Sequence, residues 1–75
     1  MEPLIAYIAK WLADDPDAVR VEARRRGERI TLRLDVAEAD MGRVIGKEGR
    51  IAMAMRTLLR AAGQRRGRDT ALEIR

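Results

Sequence analysis

Apolar residues in the first half of the chain recur with a helical period and then with the period of a strand. Between Pro3 and Ala13 they return every three or four positions, which predicts a helix with one apolar face. That face contains Leu4, Ile5, Ile8 and Leu12, and it is widened by Tyr7 and Trp11. From Ala18 to Arg25 and from Arg29 to Val36, apolar and polar residues alternate, which predicts two half-buried strands. The glycine in the connecting Arg26-Gly27-Glu28 predicts that the strands form a hairpin.

The second half of the chain is predicted to form two helices and a strand. Asp40 is placed to cap a short helix from Met41 to Ile45, which Gly46 ends. A longer helix begins at or just after Gly49, with Gly67 as its expected C-terminal cap. The apolar side of this helix contains Ile51, Met55, Leu58, Leu59 and Ala62, and the final strand runs from Thr70 to Ile74.

These elements give the order helix-strand-strand-helix-helix-strand, without repeats or linkers. The compact arrangement of such a set is an α+β domain in which a three-stranded sheet packs against three helices. We therefore expect residues 1–75 to form a single domain. A chain of this length buries only about 60% of its unfolded surface, so dimerisation would add to its stability.

Composition narrows the range of functions. The chain has no cysteine and no histidine, which excludes disulfides, zinc-thiolate sites and imidazole or thiolate catalysis. We predict a binding module rather than an enzyme, with no cofactor and no metal, since Asp14, Asp15 and Asp17 form a turn. No apolar run reaches the roughly 20 residues that cross a bilayer, so a cytoplasmic location without membrane contact is expected.

Positive charge is concentrated in one segment of the chain. Residues 43–68 contain eight basic residues and one acid, whereas the whole chain has a formal net charge of +4. A protein that gathers positive charge locally and offsets it elsewhere is typical of one that meets an anion there.

The loop Gly46-Lys47-Glu48-Gly49 lies within this basic segment, between two predicted helices. Its two glycines let the chain reverse and let another backbone approach closely. The following helix presents free N–H groups to the loop, and Lys47, Arg50 and Arg43 add cations. This is a reasonable site for a phosphodiester backbone. A nucleotide-binding P-loop is excluded, since Gly42 and Gly46 are separated by one residue too few for that motif and Glu48 replaces the required hydroxyl.

The segment Val44-Ile45-Gly46-Lys47-Glu48-Gly49-Arg50 closely resembles the KH signature, in which an apolar pair precedes GxxG. The element order resembles the type II KH arrangement, and the whole chain resembles the KhpA family of small bacterial single-KH proteins. The resemblance implies an RNA-binding protein that holds single-stranded RNA in a groove, with the loop clamping about four nucleotides. The RNA-binding residues that it implies are Arg43, Val44, Ile45, Gly46, Lys47, Glu48, Gly49, Arg50 and Ile51.

In this interpretation, Lys47 contacts phosphate and Glu48 partly offsets its charge. Val44, Ile45, Ile51 and one hairpin strand form the groove walls, while the arginines near the hairpin turn (Arg24, Arg25 and Arg26) lie where outgoing nucleic acid would pass. Low sequence specificity is expected. The resemblance also implies a homodimer, or a heterodimer with a larger KH-containing protein of the Jag/EloR type. It further implies a role in post-transcriptional regulation and in cell elongation and division.

Two alternatives stay open at this point. The fold can serve chiefly as a protein-interaction module for dimerisation, with incidental nucleic-acid binding. Exposed apolar surface on the first or the long helix would favour this alternative. Single-stranded DNA can replace RNA, because a backbone clamp distinguishes the two weakly without contacts to the 2′-hydroxyl.

Overall fold

The helices and strands follow one another in the predicted order. The computed structural model describes residues 1–75, and its elements are α1 (Glu2–Leu12), β1 (Arg20–Arg26), β2 (Arg29–Asp35), α2 (Met41–Ile45), α3 (Arg50–Gln64) and β3 (Asp69–Ile74). The first strand begins two residues later than predicted, because Pro16–Ala18 form a 3₁₀ turn in which proline favours a helical φ. None of the helices combines the length and the apolar character needed to span a bilayer.

The three strands form one sheet in the order β1-β2-β3. β1 and β2 pair antiparallel as the predicted hairpin, with Arg26 opposite Arg29 at its end. β2 and β3 pair parallel, with Leu32 opposite Leu72. A parallel pair needs a long crossover, and α2 and α3 supply it. The predicted α+β class, with a three-stranded sheet and three helices as in a KH-like domain, is confirmed.

The core lies between one face of the sheet and the helices. It contains Ile5 and Ala9 of α1, Ile30, Leu32 and Leu34 of β2, Met55 and Leu59 of α3, and Val19, Val44 and Leu72. Full burial of a large aliphatic side chain stabilises by about 1.5–3 kcal/mol. The side chains that alternate onto the other face of the sheet are all polar except Ala71, as expected of a face in water.

One residue that was predicted for the apolar face of α3 does not face the core. The buried residues of this helix are Ala52, Met55, Leu59 and Gly63, spaced three, four and four apart. Leu58, which was predicted to face inward, is 46% exposed. Adjacent helical residues point about 100° apart, so Leu58 and Leu59 cannot both face the sheet.

Asp40 does not cap α2, contrary to prediction. An N-cap residue needs an extended backbone, whereas Asp40 has helical angles, with φ −95° and ψ −6°. Its carboxylate instead accepts hydrogen bonds from the backbone N–H groups of Asp14 (3.1 Å) and Asp15 (3.0 Å). Asp40 is the one buried charged residue, and it ties the start of α2 to the turn after α1.

Gly67 closes the end of the long helix, as predicted, because the N–H of Arg68 donates to the carbonyl of Gly63 and the N–H of Gly67 donates to the carbonyl of Gln64. α3 ends at Gln64, and one further turn leads to Gly67, whose φ of +66° is the left-handed conformation of a helix end. The carbonyl of Gly63 accepts hydrogen bonds from the N–H groups of Arg66 and Arg68. A Cβ on Gly63 would lie 2.6 Å from Thr70 Cγ2 and 2.7 Å from the oxygen of Arg68. Glycine therefore lets the turn close tightly onto the end of the helix.

Candidate nucleic-acid interface

The loop Gly46–Gly49 reverses the chain between α2 and α3 through left-handed backbone conformations. Gly46 has φ +81° and Gly49 has φ +74°, while Glu48 between them has φ +57°. Lys47–Gly49 form a single 3₁₀ turn, and no side chain caps the start of α3. The first backbone N–H groups of α3, a helix of 15 residues, consequently point toward the loop and have no side-chain acceptor.

The two glycines of the loop are required for different reasons. A Cβ on Gly46 would lie 2.7 Å from Ile51 Cγ1, so this backbone packs directly on the first turn of α3. A Cβ on Gly49 would meet nothing within 4 Å, and its positive φ alone favours glycine. The space around Gly49 is open, which leaves room for another backbone to approach.

The cations of the loop differ in their partners. Arg43 Nη1 lies 2.9 Å from Asp14 Oδ1, and Arg50 Nη2 lies 3.6 Å from Glu48 Oε2. Both pairs are exposed, so each stabilises by about 1 kcal/mol or less and can be exchanged for a pair with phosphate. Lys47 is exposed and has no ion-pair partner. Glu48 thus lies against Arg50 and not against Lys47, whose charge it was predicted to offset.

The predicted apolar residues around the loop lie at different depths. Val44 has no exposed surface and belongs to the core, so it supports the loop from beneath and cannot line a groove. Ile45 and Ile51 are half-buried. Ile51 lies beneath Gly46 and also borders a shallow apolar depression with Tyr7, Ile8, Trp11 and Leu12 of α1.

A groove runs between α3 and β3. From the sequence, one strand of the hairpin had instead been expected to form a wall of the groove. β2 is hydrogen-bonded on both sides and β1 lies at the far edge, so β3 is the edge strand next to α3. Arg56 Nη2 donates to the carbonyl of Leu72 on this strand at 3.4 Å. The groove has a volume of about 200 Å³ and is lined by Arg56, Leu59, Arg60, Thr70, Ala71 and Leu72. Leu59 and Leu72 are buried and form its floor, while Arg56 and Arg60 are exposed at its rim.

Comparison with known proteins identifies the fold family. A sequence model of the family described as KhpA/KhpB, KH domain, matches residues 2–74. The chain belongs to this family. The KhpA/KhpB match confirms the resemblance found at Val44–Arg50, and it covers all six helices and strands.

Curated relatives of the chain carry the same family name. The chain is 47% identical over 74 residues to the RNA-binding protein KhpA of Caldanaerobacter subterraneus subsp. tengcongensis, with 99% of each chain covered. It is 46% identical to RNA-binding protein KhpA of Listeria monocytogenes, covering 99% of this chain and 97% of the relative. The corresponding protein of Bacillus subtilis is 43% identical, with 99% of this chain and 91% of the relative covered.

Within this KhpA/KhpB-family fold, Arg56 and Arg60 are the groove residues that the predicted site omits. Their spacing of four positions placed them on one side of the predicted helix, which was the available signal. Which strand they face depends on the parallel pairing of β3 with β2, and the sequence pattern does not encode it.

Proposed function

We propose that the chain binds single-stranded RNA, with the loop Gly46–Gly49 holding the phosphate backbone and the α3–β3 groove receiving the bases. The observation that carries the proposal is Lys47, an exposed cation without an ion-pair partner, held between two glycines with positive φ. The curated relatives are named RNA-binding protein KhpA, which supports the same class of ligand.

Each part of the site has a physical role in this proposal. Lys47 contacts a phosphate, and the open space around Gly49 lets the sugar-phosphate backbone lie against the loop. Arg50 exchanges its exposed pair with Glu48 for a second phosphate. Unstacked bases enter the groove beside Arg56, Arg60 and the outer edge of β3, above the buried Leu59 and Leu72.

Low sequence specificity follows from the balance of contacts. Contacts to phosphate fix the position of a strand but carry no base information. Reading of bases would fall to Arg60 and Arg56 at the rim of the groove and to the outer edge of β3, where Arg56 Nη2 donates to the carbonyl of Leu72 at 3.4 Å. We accordingly expect a modest preference among RNA sequences, consistent with a general role in post-transcriptional regulation.

The test is fluorescence anisotropy of a labelled single-stranded RNA with the wild type, Lys47→Asp and Lys10→Asp. Lys10 is exposed on α1 and is the only other lysine, so it gives a control with the same change of charge. Loss of a charge-assisted contact of about 1.5–3 kcal/mol predicts a roughly 10- to 100-fold weakening for Lys47→Asp. Equal weakening by both variants would mean diffuse attraction and would refute the clamp. A DNA strand of the same sequence tests whether the 2′-hydroxyl contributes.

A second candidate function, dimerisation, is favoured by the exposed apolar side chains. The exposed large hydrophobic residues are Leu4, Tyr7 and Trp11 on α1 and Met53 and Leu58 on α3. On α3 they flank a shallow depression lined by Arg50, Met53, Ala54, Thr57 and Leu58. We propose that this outer face of α3 packs against the same face of a second copy. Small residues at Ala54 and Thr57 would let the two helices approach closely.

The oligomeric state of Leu58→Asp tests this second candidate. Leu4→Asp is the matched control, because Leu4 and Leu58 are similarly exposed, at 40% and 46%, on different helices. Light scattering should give a dimer for the wild type and Leu4→Asp and a monomer for Leu58→Asp, with RNA affinity for a short strand retained. A monomeric wild type would refute the homodimer. If the chain assembles only with a larger Jag/EloR-type KH protein, the outer face of α3 would be the interface of that heterodimer. The proposed link to cell elongation and division would then belong to the heterodimer.

A further inference from the structure

The end of the molecule opposite the loop carries a second group of arginines. Arg24, Arg25, Arg26 and Arg29, which we call the hairpin-end patch, line an open depression of about 580 Å³ together with Thr31 and Glu73. The turn after α3 reaches the same end, because the N–H of Asp69 donates to the carbonyl of Glu28 at 3.1 Å. That turn adds further arginines at residues 65, 66 and 68.

The arginines of the hairpin-end patch form no ion pair within the chain, although Asp69 lies opposite Arg29 on the neighbouring strand. Glu73, the acid that borders the depression, is paired with Arg75 at 3.5 Å. Arg26 and Arg29 lie directly opposite each other across the hairpin, an arrangement of like charges that destabilises a sheet. This uncompensated charge is what a bound anion would neutralise.

Protection of an exposed strand edge does not explain this arrangement. Charged residues on an edge strand do prevent pairing with other chains. The start of β1 already meets that need with charges of both signs, Arg20 and Glu22, each opposite a residue of opposite charge on β2. Four arginines at one end exceed what edge protection requires.

Two arginines, Arg56 and Arg60, lie between the loop and the hairpin-end patch. The 15 residues of α3 span about 22 Å, with the loop at their start and the turn beside the hairpin-end patch at their end. Arg56 and Arg60 lie one helical turn apart along the groove between them. A strand held by the loop and filling the groove would therefore emerge toward the hairpin-end patch.

We propose that the hairpin-end patch binds phosphates of the RNA beyond the nucleotides held in the groove, so that the full site is longer than one KH groove. This inference rests on the proposed function. Guanidinium groups match phosphate oxygens with paired hydrogen bonds. No side chain lining the depression is apolar, so the patch lacks the anchors that a protein interface or a membrane surface uses.

The experiment measures anisotropy of labelled oligouridine of 4 and 12 nucleotides with three variants. The first replaces Arg24, Arg26 and Arg29 by Gln, which removes three charges and keeps side-chain length. The control replaces Lys10, Arg20 and Arg33 by Gln, an equal loss of charge at residues that neither line the depression nor form an ion pair with a residue that does. The third is Lys47→Asp. Far-UV circular dichroism of every variant checks that the fold is retained.

The patch variant should bind the 12-mer about ten-fold more weakly than wild type and the 4-mer within about two-fold. For the 12-mer, the slope of log K against log salt concentration should become about two units less steep. Each of the three lost phosphate contacts contributes about 0.7 to that slope. Equal weakening at both lengths, or no more than in the control, would overturn the inference. The inference would also be overturned if the patch variant lost binding to phosphatidylserine vesicles but kept its affinity for the 12-mer, since lipid would then be the ligand of the patch. A Lys47→Asp variant that binds the 4-mer like wild type would instead overturn the proposed clamp.

Discussion

Replacing Gly46 by alanine should destabilise the protein far more than the same change at Gly49, although both are glycines of one loop. The backbone of Gly46, with φ +81° and ψ 170°, lies in a region that is nearly restricted to glycine. An added Cβ would also lie 2.7–3.0 Å from three side-chain atoms of Ile51. At Gly49 the φ is +74°, but no atom lies within 4 Å of the new Cβ.

These contacts translate into different losses of folding free energy. At Gly46, backbone strain and forced repacking each cost about 1–3 kcal/mol, which gives roughly 2–6 kcal/mol in total. At Gly49 the left-handed conformation alone costs about 1–2 kcal/mol. A chain of 75 residues has a total stability of roughly 4–11 kcal/mol. Gly46→Ala therefore removes a large part of it, whereas Gly49→Ala leaves the fold intact.

Urea unfolding followed by far-UV circular dichroism measures both losses. The fluorescence of Trp11 is a poor probe, because this side chain is already 74% exposed in the folded state. The double variant Gly46→Ala with Ile51→Ala removes two of the three close atoms, so its loss should be smaller than the sum of the single losses by about 1–2 kcal/mol. Equal losses for the two glycines, or strict additivity with Ile51, would refute the proposed close packing.

Three further changes have expected outcomes. Asp40→Asn replaces one of two buried acceptors by a donor, so we expect stability to fall by about 2–3 kcal/mol in urea, and a change under 0.5 kcal/mol would contradict its role as a tie. Gly63→Ala should lower the melting temperature, because its Cβ would lie 2.6 Å from a methyl group, whereas Gly42→Ala, with no atom within 4 Å, should raise it through helix propensity. Glu48→Asn fits the φ of +57° better and frees Arg50, so a several-fold tighter affinity for RNA is expected by anisotropy, and weaker binding would argue against a phosphate contact there.

The sequence predicted the elements because each has a distinct period and a clear boundary residue. It could not predict contacts between distant parts of the chain. Asp40 has the composition of a helix cap, yet its partners lie 25 and 26 residues earlier. Local rules give the commonest role for such a residue, and only the packed structure shows that its carboxylate is taken up elsewhere.

The site was predicted in part for the same reason. The loop is a local feature, so Gly46, Lys47 and Gly49 were identified from four consecutive residues. The groove is a product of topology, since β3 borders α3 only because it pairs parallel to β2 at the edge of the sheet. The choice between Leu58 and Leu59 as the inward residue likewise depends on how α3 lies on the sheet, which two adjacent leucines do not specify.

The two proposed activities are compatible because α3 uses each of its sides for a different purpose. One side packs on the sheet through Met55 and Leu59, a second borders the groove with Arg56 and Arg60, and a third presents exposed apolar residues such as Leu58 to solvent. A second copy packed on the third side would leave the groove open, with Arg50 at the border between that side and the loop. Two copies joined in this way would present two grooves and two hairpin-end patches to one RNA. The affinity of the dimer for a long strand would then exceed that of a monomer without any new contact to RNA. Weakened binding of a long RNA by Leu58→Asp, with binding of a four-nucleotide RNA unchanged, would be the signature of this coupling.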